Sequence, residues 1–342
     1  MISLLNHFWN VFGNKHKLNI LIRKKINNLL DTTENFVHPN LKKTFDKKTN
    51  NVKKILLFAY GTTGDIAIFS SFTKYLKKLF PNSKIFYIVN NIDKVIYISS
   101  LDKNIDEIIT IDIPRFFTFK IIDKIKKKYP DYDLFINLNL YPNLRHLMSY
   151  VKFIEMPYFL FKKKPDNLPT PKLYLDFKIR QQKIIFLNLE MISLNFDNNY
   201  LQLKEMEEII FFLANEFKKY QFVVNNYLEL ANIKTIKNVK LFHGNYKELV
   251  KIATSSKIFI SSRNGLCDVI AASVSNKPMF IIYPNLLFPG KNGTEFVYTY
   301  GMKDIGYPNP IEETIFNRNI NGVNRLKKQI KTFIENNYEK QY

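Results

Sequence analysis

The feature that narrows the fold most is an alternation that begins near Val52 and runs twice along the chain, in which short apolar runs give way to longer amphipathic stretches. In the first half it reads as strand 54–59, helix 65–79, strand 84–89, a helix near 94–99, strand 107–112, helix 117–128, strand 133–138 and helix 144–151. Strands that are apolar throughout, such as KILLFA, are buried on both faces, and strands joined through helices run parallel. Pro157, Pro165, Pro169 and Pro171, with the lysine run 162–164, break the pattern and mark a connection. It then resumes as strand 183–189, helix 203–219, strands 221–225 and 239–242, helix 246–254, strand 257–261, helix 265–273 and strand 278–283. The expected fold class is α/β, with two Rossmann-like, doubly wound domains facing a cleft. We place them at residues 52–172 and 173–320, followed by a C-terminal helix within 321–342 that can cross back onto the first domain.

Residues 1–51 follow a different rule. Leu4, Leu5, Phe8, Trp9 and Phe12 fall at helical spacing, a basic stretch covers 15–25, and a polar linker follows Asp31. Such a segment suits an anionic membrane surface or packing on the protein's own body. It has no basic n-region and no cleavage site, so a secretory signal is not expected, and no run of about 18 apolar residues predicts a membrane span.

Composition closes other routes. With 46% hydrophobic residues in 342, the chain is neither disordered nor a disulfide scaffold. Its single cysteine, Cys267, excludes an internal disulfide and a Cys-based zinc site and fits a reducing, cytoplasmic compartment. Lys and Arg number 51 against 30 Asp and Glu, a net +21 that favours anionic partners: phosphorylated small molecules, anionic lipid or nucleic acid. No helix-turn-helix, RRM, KH or zinc-finger signature supports the last.

The chemistry is concentrated where strands end. After the first strand, the loop AYGTTGD carries Gly61 and Gly64, which let backbone approach a ligand, but its spacing is neither G-x-G-x-x-G nor a P-loop. Asp65 then opens a helix, either as a cap or as a reactive carboxylate. Asp131 and Asp133 match a D-x-D metal pattern but stand where turn residues are common. Cys267 reads as an inert small side chain, His243 as a loop residue that either approaches a ligand or has no such role, and the lysine run 126–128 as a solvated or membrane-facing surface.

Taken together, GDIAIFSSFTKYLKKLFPNSKIFYIV, YDLFINLNLYPNLRHLMSYV and KIFISSRNGLCDVIAASVSNKPMFIIYPN resemble the bacterial heptosyltransferase-like glycosyltransferases of family nine. The order of elements agrees from about Lys53 to Pro284, and Gly265, Ala271, Ala272, Lys277 and Pro278 stand in matching places. The resemblance implies a GT-B fold, with acceptor on the first domain and sugar-nucleotide donor on the second. It implies Asp65 as catalytic base of an inverting transfer and Arg263, Asn264, Gly265, Asp268, Asn188, Tyr283 and Glu295 on the donor side. Thr63, Gly64, Arg145 and His146 would meet the acceptor, with no metal and no cofactor beyond the donor itself.

Three departures separate the chain from the family pattern. Arg263 replaces an Asp, Asp268 replaces a His, and the segment 184–199, with Asn188, Glu190, Ser193 and Asn195, lacks the usual Gly and Lys. A sister group using another sugar nucleotide is the expectation. The implied partners are a nucleotide-sugar donor, a glycan or glycolipid acceptor and the inner face of the cytoplasmic membrane, with no nucleic acid. The rival readings are a non-catalytic basic protein binding lipid or nucleic acid, and another GT-B sugar-nucleotide enzyme such as an epimerase or hydrolase.

Overall fold

The computed structural model describes residues 52–59, 61–112, 125, 127–138, 168–189, 201–225, 231–233, 235–284, 288–289, 295–296, 301–316 and 322–338. The first half contains β1 (Lys54–Phe58), α1 (Thr63–Leu79), β2 (Lys84–Asn90), α2 (Asp93–Ser100), β3 (Glu107–Ile111) and β4 (Leu134–Asn137). Its strands are all parallel, in the order β3-β2-β1-β4. Of the expected helix 117–128 only Ile125, Lys127 and Lys128 are described, and they are helical; helix 144–151 lies outside the described residues.

The second half contains β5 (Gln182–Asn188), α3 (Leu203–Glu216), β6 (Gln221–Asn225), β7 (Val239–Phe242), α4 (Tyr246–Ser255), β8 (Ser256–Ser262), α5 (Gly265–Ser273) and β9 (Met279–Pro284). A short antiparallel ribbon, β10 (Phe288–Pro289) with β11 (Glu295–Phe296), precedes α6 (Met302–Ile305), β12 (Ile311–Phe316) and α7 (Gly322–Tyr338). The main sheet is parallel in the order β12-β9-β8-β5-β6-β7. Counted from β5, that is the doubly wound order 3-2-1-4-5-6, with its switch point between β5 and β8. Strand β12 was not expected. Its sequence IEETIF is polar at the middle positions because β12 is an edge strand, so only Ile311 and Phe316 are buried.

The halves share one continuous apolar core. Ile55 and Leu57 of β1, Phe72 and Leu76 of α1, Phe186 of β5 and Ile270 of α5 belong to it. Helices α1 and α5 pack together at the junction, and the proline-rich connection is threaded beside them. There Lys172 N–H donates to Ser70 Oγ (2.8 Å), Leu173 N–H to the Ala272 carbonyl (2.9 Å) and Tyr174 N–H to the Leu101 carbonyl (2.7 Å). Helix α7 departs from the expectation: Leu326, Ile330, Phe333 and Ile334 pack with Ile209, Ile210 and Leu213 of α3 in the second half. Ion pairs Lys327–Glu208 and Lys331–Glu216 follow the same seam. A helix with one apolar stripe covers the nearest open sheet face, and the second sheet offers it.

Candidate active site

The strand-to-helix turn after β1 begins one side of the site. Thr62, with extended backbone, is the N-cap of α1, and Asp65 is its third helical residue. The helix therefore starts earlier than the sequence pattern suggests, because Thr62 supplies the cap. Thr62 N–H donates to Asp65 Oδ2 at 2.6 Å and Thr62 Oγ1 to the same oxygen at 3.0 Å. These bonds satisfy a helix-end donor and fix the carboxylate. They leave Oδ1 without a hydrogen-bond partner among the described residues. Burial pushes the Asp65 carboxyl above the usual carboxylate range; the Thr62 bonds oppose the rise, Asp268 adds to it and Arg263 opposes it.

The second half contributes the corresponding turn after β8. Asn264 caps α5, its Oδ1 accepting the Leu266 N–H at 3.0 Å. Arg263 and Asp268 form a buried two-pronged ion pair, Nη1 to Oδ2 at 2.6 Å and Nη2 to Oδ1 at 3.0 Å, and Nη1 also donates to the Asn264 carbonyl at 2.9 Å. Arg263 and Asp268, two of the three departures from the family pattern, are thus partners of each other. Tyr307 donates to Asp268 Oδ1 at 3.4 Å, and Gly306, at φ 80°, makes the turn that delivers it.

The two turns meet. A Cβ on Gly64 would lie 2.7 Å from Gly265 Cα and 2.8 Å from Asp268 Oδ2, and one on Gly265 would lie 2.8 Å from both Gly64 N and Thr63 Oγ1. Only residues without side chains allow so close a contact. Thr63, Gly64, Asp65, Arg263, Asn264, Gly265 and Asp268 are therefore gathered at one place, at the N-termini of two helices from two halves. Helix N-termini carry partial positive charge and favour anionic ligands.

Asn188 and Tyr283 stand toward the ends of β5 and β9, the strands on either side of β8. Asn188, at the end of β5, is buried in a polar network: its Nδ2 donates to Ser261 Oγ (2.9 Å) and its Oδ1 accepts from Asn225 Nδ2 (2.7 Å). Tyr283, at the end of β9, bonds to Glu313, and its hydroxyl accepts the Met302 N–H at 3.0 Å. Both residues are thereby committed to internal partners, although Tyr283 remains within electrostatic reach of Arg263. Glu295 lies in β11, where only the backbone is described, and Arg145, His146, Glu190, Ser193 and Asn195 lie outside the described residues. His243 is exposed after the edge strand β7. Asp133 Oδ2 accepts the Lys53 and Lys54 N–H groups, each at 2.8 Å, so this carboxylate ties β1 to the turn before β4. Cys267 is buried against Ser261 and Ser262, and burial pushes its thiol up, away from the reactive thiolate. Sequence reasoning missed Thr62, Asn225, Ser261 and Tyr307. Asn225 had a signal: like Asn188 it is the last residue of an otherwise apolar strand, where a polar side chain faces the ligand edge of the sheet.

Two doubly wound halves joined at paired strand-to-helix turns define the GT-B class of fold. No model of a known protein family and no curated protein matches the sequence. Among solved structures, an Escherichia coli heptosyltransferase, WaaC with ADP, is 15% identical, with TM-score 0.56 over 83% of this chain and 99% of that one. The E. coli ADP-heptose lipopolysaccharide heptosyltransferase II is 14% identical, with TM-score 0.58 over 83% and 99%. A family 9 glycosyl transferase from Veillonella parvula is 14% identical, with TM-score 0.58 over 84% and 97%. The chain has the heptosyltransferase fold from end to end of those proteins. Among the described residues no helix is long and apolar enough to cross a membrane.

Proposed function

We propose that this chain is an inverting, metal-independent glycosyltransferase that moves a sugar from a nucleoside-diphosphate donor to a cell-surface glycan, of the lipooligosaccharide, lipopolysaccharide or capsule kind. One observation carries the reading: the N-terminus of α1, with Asp65 fixed by Thr62 through one oxygen, meets the N-terminus of α5 beside a buried Arg263.

In this reading Asp65 Oδ1 takes the proton from an acceptor hydroxyl as that oxygen attacks the anomeric carbon from the face opposite the diphosphate. The new C–O bond forms, the bond to the diphosphate breaks, and configuration inverts. Charge developing on the departing diphosphate is met by the start of α5 and by Arg263. Among the described residues, Asp268 and the Asn264 carbonyl hold three of the five guanidinium N–H donors, which leaves two for a phosphate oxygen. An electrostatic clamp of this kind performs the task a divalent metal performs in other transferases. Thr63 and Gly64, expected to meet the acceptor, are instead packed against Gly265, so in this reading the acceptor approaches Asp65 Oδ1, with Arg145 and His146 reading its anionic groups. The basic segment 15–25 holds the enzyme on the inner face of the cytoplasmic membrane.

The test is binding of ADP-, GDP-, UDP-, CDP- and TDP-sugars by ligand-observed NMR, with Mg²⁺ and with EDTA. Selective binding that is unchanged by EDTA is expected. Absence of binding to every donor overturns the transferase reading, and binding only with Mg²⁺ overturns its metal-independence.

A further inference from the structure

Three neighbouring strands of the second sheet carry a polar residue at the same level of its carboxyl edge. Strand β5 stops at Asn188, in register with Ser261 of β8, and β6 stops at Asn225. By the two-residue period of a strand, these three share a face with Phe186, Val223 and Phe259, the face that α4 and α5 cover. Asn188, Asn225 and Ser261 are 2%, 4% and 0% exposed. Asn225 Nδ2 donates to Asn188 Oδ1 at 2.7 Å and Asn188 Nδ2 donates to Ser261 Oγ at 2.9 Å, so the side chains form one row across the strand ends.

The row has a direction, and the backbone sets it. Ser261 Oγ lies 2.7 Å from the Ser262 carbonyl and 3.0 Å from the Asn188 carbonyl, groups that only accept, so the single hydroxyl proton is used there and the oxygen is left to accept from Asn188. That turns Asn188 Oδ1 toward Asn225, and Asn225 answers with its Nδ2. Its own Oδ1 ends the row as an acceptor with no hydrogen-bond partner among the described residues. A buried acceptor left unpaired is costly, and a ligand that brings a donor removes the cost. Open parallel sheets take ligands beyond the strand ends at the switch point, here between β5 and β8, and α5 starts just after β8. Asn225 stands two strands from β8, about 10 Å across the sheet, within reach of a nucleoside whose diphosphate lies at the start of α5.

We propose that Asn225 is a specificity-determining residue for the donor: its Oδ1 accepts a hydrogen bond from an N–H or O–H group of the nucleoside, and the row behind it holds the amide in that orientation. The inference rests on the transferase reading of the α5 turn. Reversing the Asn225 amide sets its oxygen against Asn188 Oδ1, two acceptors face to face, so a ligand group that only accepts is rejected.

Titration calorimetry of the full chain tests this with ADP, GDP, CDP and UDP, with their 2′-deoxy and 3′-deoxy forms, with forms whose base lacks its N–H groups, and with inorganic pyrophosphate. For the nucleoside diphosphates that bind, Asn225→Ala is expected to weaken binding about 3- to 10-fold and to leave pyrophosphate, which reaches only the α5 turn, unchanged. The loss vanishes in the analogue that lacks the group being read: a deoxy form identifies a ribose hydroxyl, a base-altered form a base N–H. Equal weakening of pyrophosphate and of every analogue, as a side chain that only props the sheet gives, overturns the proposal, as does unaltered binding of them all. Should Asn225→Ala fail to fold, the unaltered protein decides, because deoxy and base-altered forms that all bind as tightly as their parents overturn it equally. Absence of binding by every nucleoside diphosphate overturns the transferase reading and this one with it, whereas binding that no analogue changes removes this one alone.

Discussion

The N-termini of α1 and α5 each follow a strand beside its sheet's switch point, the first strand in one half and the fourth in the other, and they use their polar groups in opposite ways. At α1 one carboxylate oxygen is held by Thr62, and the other has no hydrogen-bond partner among the described residues. At α5 the cap, the arginine, the carboxylate and a tyrosine are all joined to one another. The first arrangement suits a group that must accept a proton. The second suits a rigid frame, because the two-pronged geometry and the bonds with Asn264 and Tyr307 offset much of the cost of burying the ion pair.

That contrast breaks most directly at Asp65. Asp65→Asn should lower transfer by about 10²- to 10⁴-fold while donor binding persists, measured as turnover beside a binding isotherm. Activity equal to the unaltered protein would remove the base assignment. On the other side, Asp268→Ala strands Arg263 as a buried, unpaired charge and should cost about 3–5 kcal/mol in urea unfolding. Asp65→Ala, which loses only a helix-end contact, should cost about 0.5–2 kcal/mol.

A third buried carboxylate sharpens the comparison by lying away from the junction. Asp102 accepts bonds from Thr73 and Asn104, yet burial dominates and raises it from 3.8 to about 6. Because the folded value lies above the unfolded one, its contribution is fully present below pH 3.8 and is lost as pH rises through about 6. Unfolding free energy should therefore fall by roughly 2–3 kcal/mol across that window relative to Asp102→Asn, which removes the step. Gly64→Ala acts at the junction itself. Its new methyl group meets the Gly265 backbone, so the helices must part, at about 1–3 kcal/mol by thermal melting. A loss of transfer larger than this loss of stability would show that closure of the junction matters to the reaction.

Much of the fold was legible in the residues. KIIFLN, KIFISS and MFIIY each carry an unbroken run of at least three apolar residues, as strands buried on both faces do, and they fall in β5, β8 and β9. Strand β12 was not legible, because IEETIF at a sheet edge carries Glu312 and Glu313 and loses the apolar signature. In the candidate site, Asp65 could be singled out from its place after a strand and Arg263 and Asp268 through the family resemblance, whereas Asn225 and Tyr307 entered through contacts from distant segments.

Sequence alone determined the alternation, the parallel sheets it requires and the turns that carry Thr62, Asp65 and Asn264, since these depend on residue period and on caps acting over a few positions. Tertiary structure alone decided that Arg263 and Asp268 neutralise each other, that Gly64 rests on Gly265 and that α7 covers the second sheet. Pairing across space depends on which surfaces remain to be buried once every local element has formed. No local pattern records that.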